Sequence, residues 1–339
     1  MISEVFKQLK DRDPFSDILG QSDAKKQILS ALIMNRHIIL VGPPGIGKTT
    51  MAKNVAKLLP EIVVNDCNFH CSPDNAICPE CKSKKSNTKK IKGLERFVRV
   101  QGSPDLTVED LLGDIDTIKA LKFGPLAVES FTPGKIFKAN NGVLFFDEIN
   151  RAPEKIQNSL LQVLEEGKAT IGSYDVDLEA NFILIATMNP EDFAATEKLS
   201  EVLLDRFDFI FVHYPETLSI EKEIVKIKAE SLKEVRFPDA LLDMTLGFIH
   251  KLRANENLER VPSVRASMGL YERAQANAFL NKRKEVTVED VLESFYSVIA
   301  HRIRLKPSVR YMIDNKAFLK KEFSSFKETF NKDKESDSP

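Results

Sequence analysis

Apolar and polar positions fall in blocks along this chain. Ile38-Ile39-Leu40-Val41, Phe97-Val98-Arg99-Val100, Val143-Leu144-Phe145-Phe146, Phe182-Ile183-Leu184-Ile185-Ala186 and Phe209-Ile210-Phe211-Val212 are short, near-continuous apolar runs. Such runs predict strands buried on both faces, as in a parallel sheet. Between them lie helical stretches: Ser22 to about Asn35, Met51–Leu59, Leu106–Leu112 and Pro153–Glu166. The last carries Ile156, Leu160, Leu161 and Leu164 on one face. Ala169–Leu178 alternates around a turn and predicts a hairpin. From Thr217 onward strand patterns vanish, and helical periodicity covers about 217–233, 238–254, 263–280 and 287–303. The expectation is an α/β domain over 1–215, an all-helical domain over 216–320 and a charged, Ser-rich tail over 321–339 that is disordered.

The first apolar run leads into Gly42-Pro43-Pro44-Gly45-Ile46-Gly47-Lys48-Thr49-Thr50, which reads G-x-x-x-x-G-K-T before a helical pattern. Strand, glycine-rich loop and helix form the context of a phosphate-binding loop. Glycines at 42, 45 and 47 let backbone N–H groups curl around a polyphosphate where a Cβ would obstruct them. The helix adds the positive end of its dipole. Lys48 would reach the β- and γ-phosphates, and the Thr49 hydroxyl would ligate Mg²⁺. The chain is therefore expected to bind a nucleoside triphosphate.

Val143–Glu148 ends in two carboxylates, about a hundred residues after that loop. In a parallel sheet both acids sit at the carboxyl edge, where the phosphate loop also lies. Asp147 would hold Mg²⁺ through water, and Glu148 would orient and polarise the attacking water. A further buried strand ends at Thr187-Met188-Asn189, placing Asn189 to contact the γ-phosphate or that water.

Between 61 and 96 the alternation of strands and helices is interrupted. Cys67, Cys71, Cys78 and Cys81 are the chain's four cysteines, spaced C-x3-C-x6-C-x2-C and followed by a basic run from Lys82 to Lys92. Two close pairs let four thiolates converge on one tetrahedral ion, so a structural metal knuckle is expected in an insert over 65–92. Zinc is the first choice and an iron–sulfur cluster the second. His70 could replace a cysteine, although a solvent-facing ring is the simpler expectation. The formal net charge of −1 offers no global attraction to nucleic acid or anionic membrane. No apolar run approaches the ~20 residues of a spanning helix, and Met1-Ile2-Ser3-Glu4 does not open a signal peptide, so a cytoplasmic location is expected.

The order Gly42–Thr50, Leu144–Glu148, Thr187–Asn189 and Leu204–Phe207, then Pro262-Ser263-Val264-Arg265-Ala266, resembles an AAA+ ATPase. Asp147-Glu148-Ile149-Asn150-Arg151-Ala152-Pro153 followed by Gln157–Glu166 is similar to MoxR-type ATPases. Gly113–Asp116, Phe131–Gly134, Asn140–Leu144 and Thr187–Glu191 resemble the magnesium-chelatase ATPase subunit. The resemblance implies a P-loop NTPase core with a helix-2 insert near 107–134, a pre-sensor hairpin near 168–180 and a helical lid. It implies ATP as substrate, with Lys48 and Thr49 in the Walker A role and Asp147 and Glu148 in Walker B. Asn189 would be sensor 1 and Arg265 sensor 2. Arg206 looks like the arginine finger acting on a neighbouring subunit's ATP, a contribution worth about 10³–10⁵ in rate in other NTPases. Arg151 would also face the next subunit. A finger in trans requires a homo-oligomer, in this family a hexameric ring. The cysteine knuckle departs from the usual pattern of both relatives.

Two functions follow. One is a ring ATPase of MoxR/chelatase type, a chaperone-like machine that remodels a client or drives metal insertion with a von Willebrand A domain partner. The other is a nucleic-acid motor, with Lys82–Lys92 and the knuckle gripping a backbone. The near-neutral charge and the acidic hairpin residues Asp175, Asp177 and Glu179 weigh against it.

Overall fold

The computed structural model describes residues 14–83, 87–124, 127–170, 177–189 and 199–336. They form two compact units: residues up to Val212 apart from 44–46, and residues 44–46 with 213 onward. In the first, strands β1 (His37–Val41), β2 (Phe97–Gln101), β3 (Gly142–Asp147), β4 (Phe182–Met188) and β5 (Phe207–Phe211) lie parallel in the order β5-β1-β4-β3-β2. The five apolar runs are these strands, and α/β with a parallel sheet is the observed class. All of β4 and the residues Gly142–Phe146 of β3 are buried, which explains why their sequences do not alternate. Ile39, Val41, Leu144, Phe146, Leu184 and Ala186 face one core with Ile156 and Leu160 of the helix Glu154–Glu166. Their neighbours Ile38, Leu40, Phe145 and Ile185 are equally buried on the other face.

Arg96, just before β2, is buried without a carboxylate partner among its hydrogen bonds. It donates instead to the carbonyls of Pro60, beyond the helix Lys48–Leu58, and of Asn141, before β3. Loss of solvent lowers its pKa, yet two carbonyl dipoles keep the charge tolerable.

Three antiparallel pairs decorate this core. Ile62–Asn65 pairs with Thr88–Ile91 and frames the cysteine segment. Gly113–Ile115 pairs with Phe131–Pro133, enclosing the short helix Thr117–Phe123. Lys168–Thr170 pairs with Asp177–Glu179 as the expected hairpin; its turn, with Asp175, lies outside the described residues.

The second unit contains the expected helices as Leu218–Lys228, Asp239–Arg253, Val264–Leu280 and Val288–Val298. It is not all-helical, however. Leu258–Arg260 pairs antiparallel with Arg304–Leu305, and both leucines are buried. Strands of three and two residues are too short to leave a periodic signal. The tail also differs from expectation: Asn315–Ser336 is a helix. Its charge suggested disorder, but Phe318, Leu319 and Phe323 are buried, and Phe323 packs edge-on to Phe248 and Phe295. Helical spacing gathers these few apolar side chains on one side of the helix, which average composition hides.

Candidate functional site

The carboxyl edge of the sheet gathers residues that the sequence marks as candidates for binding nucleotide. Gly45 and Gly47 have φ of +80° and +98°, the left-handed region that glycine enters without strain. Gly47 stands at the N-cap of the helix Lys48–Leu58, and no side chain caps that end. Its first-turn N–H groups and the dipole thus face the loop's concavity. Lys48 Nζ donates to the carbonyls of Gly42 and, at 3.0 Å, Pro43, so the ammonium is folded over the loop. Gly42 N–H donates to Met188 O at 3.2 Å, tying the loop to the end of β4 and thus to Asn189, the next residue.

The acid pair lies at the end of β3. Asp147 Oδ1 accepts from Thr187 Oγ1 at 2.6 Å, and Oδ2 accepts from Arg99 Nη2 at 2.6 Å. Glu148 leaves the strand with φ +55°. Its N–H donates to the same Thr187 hydroxyl at 2.9 Å. Its Oε2 accepts from Gln101 Nε2 at 3.1 Å and from Arg151 Nη1 at 2.9 Å. Thr187 thereby joins both acids, while Gln101 and Arg151 orient the Glu148 carboxylate, which stays 33% exposed. Both donors meet Oε2, so a water approaching that oxygen competes with them. Parallel pairing of β2 with β3 sets Gln101 opposite Asp147. The next residue, Gly102, donates its N–H to Asp147 O at 2.7 Å, and a Cβ there would collide with the Glu148 carbonyl.

Sequence reasoning identified both acids but missed Arg99, Gln101 and the role of the Thr187 hydroxyl. The usable signal was polarity at alternate positions of an otherwise apolar strand end, Arg99 and Gln101, but its meaning depends on register.

Arg206 is not brought to this edge. It immediately precedes β5, whose first residue Phe207 pairs with His37 at the start of β1. Five residues of strand, about 16 Å, separate that level from the phosphate loop. The side chain is exposed and pairs with Glu165, not with its neighbour Asp205. In the second unit, Arg265 is the exposed second residue of the helix Val264–Leu280. Within that unit it runs beside Gly45, where an added Cβ would stand 3.0 Å from Arg265 Cγ.

The cysteine segment folds as a separate centre. The sulfurs of Cys67, Cys71, Cys78 and Cys81 all lie within 4.8 Å of one another and form no disulfide. Four sulfurs at about 2.3 Å from one ion stand about 3.8 Å apart, so small movements suffice to bind it. Cys71 N–H points to Cys67 Sγ at 3.4 Å, and the N–H groups of Ile77 and Cys78 point to Cys71 Sγ at 3.3 Å each. These donors would offset thiolate charge on a metal. With the thiols alone, burial raises Cys78 to about 11, and the Cys71 hydrogen bond together with burial raises Cys67. His70 is outside the four-sulfur group. It is half-buried rather than solvent-facing, with φ +49° and a buried Nδ1 lacking a hydrogen-bond partner. Phe69 anchors the segment against Phe131 and Phe137, and its carbonyl accepts from Asn140 Nδ2 at 3.2 Å. Of the basic run, Lys89 and Lys90 pair with Asp66 and Glu61; residues 84–86 lie outside the described set.

Among the described residues no helix is long and apolar enough to cross a membrane. Residues 82–209 match the model of the ATPase family associated with various cellular activities (AAA), 252–320 the AAA lid domain, and 14–90 magnesium chelatase, subunit ChlI. The chain is 30% identical to a magnesium-chelatase subunit ChlI homolog of Methanocaldococcus jannaschii, over 94% of this chain and 93% of that protein. It is 28% identical to magnesium-chelatase subunit ChlI of Synechocystis sp., over 87% and 89%. Two solved structures share the fold. One is a BchI–BchD magnesium chelatase complex, with TM-score 0.50 and 23% identity over 88% of this chain and 99% of that one. The other is a Thermotoga maritima RuvB variant, with TM-score 0.51 and 20% identity over 85% and 74%. With its phosphate loop, acid pair and lid accounted for, this chain belongs to the magnesium-chelatase ChlI family of AAA+ ATPases, and it is an ATP-hydrolysing enzyme.

Proposed function

We propose that the chain is the hydrolysing subunit of a homo-oligomeric ring, hexameric as in its family, that works on a partner or client protein in the manner of a chelatase or MoxR machine. The observation that carries this reading is the separation of Arg206 from the chain's own acid pair, at opposite edges of one sheet. A cation so placed serves a neighbour's γ-phosphate better than its own. ATP would lie on Gly42–Thr50, with Lys48 on the β- and γ-phosphates and Asn189 and Arg265 reading the γ-phosphate. Thr49 and Asp147 would hold Mg²⁺, which neutralises charge on the phosphates when bound. Glu148 would orient the attacking water. The four cysteines would hold a structural zinc ion, since four sulfurs leave no position for a substrate. Metal analysis checks that part: about one zinc per chain is expected, lost in Cys71→Ser, whereas iron with acid-labile sulfide would replace it by a cluster.

The partner is read as a von Willebrand A domain protein, with client remodelling or metal insertion as the output. A pull-down with Glu148→Gln in ATP tests this. Recovery of such a protein supports the reading, and recovery of nuclease-sensitive material instead would replace it with a nucleic-acid motor. The pairing of Lys89 with Asp66 and of Lys90 with Glu61 places acids among the basic run and favours the first outcome. Mixing Arg206→Ala with Lys48→Ala chains tests the finger, because a trans arrangement restores part of the activity in mixed rings.

A further inference from the structure

The helical unit contains a buried charge cluster centred on Glu221. Glu221 is fully buried, and both its oxygens are saturated. Arg253 grips it with two parallel bonds, Nη1 to Oε2 at 2.6 Å and Nη2 to Oε1 at 2.7 Å. His250 Nε2 meets Oε2 at 2.7 Å, and the Ser267 hydroxyl donates to Oε1. Arg253 has further contacts: its Nε donates to Pro262 O at 2.9 Å, and its guanidinium lies 4.5 Å from the centre of the Tyr214 ring.

These contacts converge on one place, the start of the helix Val264–Leu280. Pro262 lies two residues before its first turn, and Ser267 is on that turn's buried face, fully inaccessible. Arg265 is two residues from Ser267, about 200° around the helix, and is exposed. Holding Pro262 and Ser267 from inside therefore fixes the direction in which Arg265 projects. Ser263, the N-cap, makes no side-chain cap bond, so the entry of this helix is held by the cluster instead. Tyr214 ties the same arginine to the segment that follows β5.

We infer that Glu221, Arg253 and Ser267 are positioning residues for Arg265, locking the entry of its helix so that Arg265 discriminates ATP from ADP. The inference rests on the reading of Arg265 as a γ-phosphate sensor. It is tested by the ratio of ADP to ATP dissociation constants, measured in the Glu148→Gln background to prevent turnover. Arg265→Ala should lower that ratio about tenfold, in line with one charge-assisted contact. Ser267→Ala should lower it several-fold, Ser267→Thr should restore it, and Ser267→Ala should have no effect once Arg265 is Ala. If Ser267→Ala lowers the melting temperature but leaves the ratio unchanged, the cluster is merely structural and the inference falls. If Arg265→Ala itself leaves the ratio unchanged, the sensor reading fails first and takes the inference with it. Glu221→Gln is the stronger companion variant; should it not fold, the Ser267 series decides alone because the Glu221–Arg253 pair remains intact.

Discussion

Two sets of acid–arginine contacts in this protein differ in how firmly they are held. At the carboxyl edge of the sheet, Asp147 meets Arg99 and Glu148 meets Arg151, with both arginine side chains about half exposed at 54% and 47%. In the helical unit, Glu221 meets Arg253 with exposures of 0% and 9%. The first pairs can exchange partners with water, nucleotide or metal at small cost. The second cannot, because breaking it strands a charge in an apolar interior. One set is suited to change during a catalytic cycle, and the other to hold a helix still while it does.

The largest effect expected at the exchangeable set is chemical. Glu148→Gln should retain ATP binding and lose turnover by about 10³-fold or more, comparable to the 10³–10⁵ range of arginine-finger losses expected for Arg206→Ala. Single-turnover hydrolysis beside nucleotide-binding titration separates the two steps. Neither substitution should move the melting temperature by more than a degree or two, since surface changes stay within about 0.5 kcal/mol.

The fixed set should respond in the opposite way. Arg253→Met should cost about 3–5 kcal/mol of stability by leaving Glu221 buried without its main partner. Urea unfolding measures this, and a loss below about 1 kcal/mol would mean that the cluster relaxes like a surface pair.

Acid should weaken the same set next. Burial alone would raise the pKa of Glu221, but hydrogen bonds from His250 and Arg253, the Arg253 charge and the Ser267 bond together hold it down to about 2 from 4.5. A carboxyl depressed in the folded state stabilises fully above its unfolded value and loses that contribution as pH falls through the folded value. The window is therefore about pH 4.5 to 2, with on the order of 3 kcal/mol at stake. Stability of wild type and Glu221→Gln measured across that window should converge toward its acid end.

The smallest effect on stability is expected from Gln101→Ala and Arg99→Ala, each within about 0.5 kcal/mol. Gln101→Ala removes one of the two donors to Glu148 and should change basal ATP hydrolysis by a few-fold. A stability loss matching that of Arg253→Met would erase the distinction between the two sets.

How much of this was legible beforehand depends on how local the cause is. The phosphate loop is nine consecutive residues, Gly42–Thr50, whose glycines and helix entry follow from their own backbone. The acid pair ends a run too apolar to be anything but a buried strand. The four cysteines lie within fifteen positions, so their convergence needed only a short loop to close, and the structure brings their sulfurs together. His70 was misjudged because burial of one ring depends on Phe69 and its aromatic neighbours, which approach from 131 and 137.

By itself, then, the sequence determined the order of elements, the α/β class, the phosphate loop with its acids and the thiol cluster, because each is encoded by neighbours along the chain. Tertiary structure decided the rest. That Gln101 and Arg99 face the acids follows from a parallel register between strands joined by a long crossover, which no local pattern encodes. That Arg206 pairs with Glu165, or that Glu221 gathers Arg253, His250 and Ser267, depends on side chains 29 to 46 residues apart in one case and 41 in the other. Such pairs form only when packing has brought distant elements together, and at Glu221 burial then makes the chosen partner the one that can be kept.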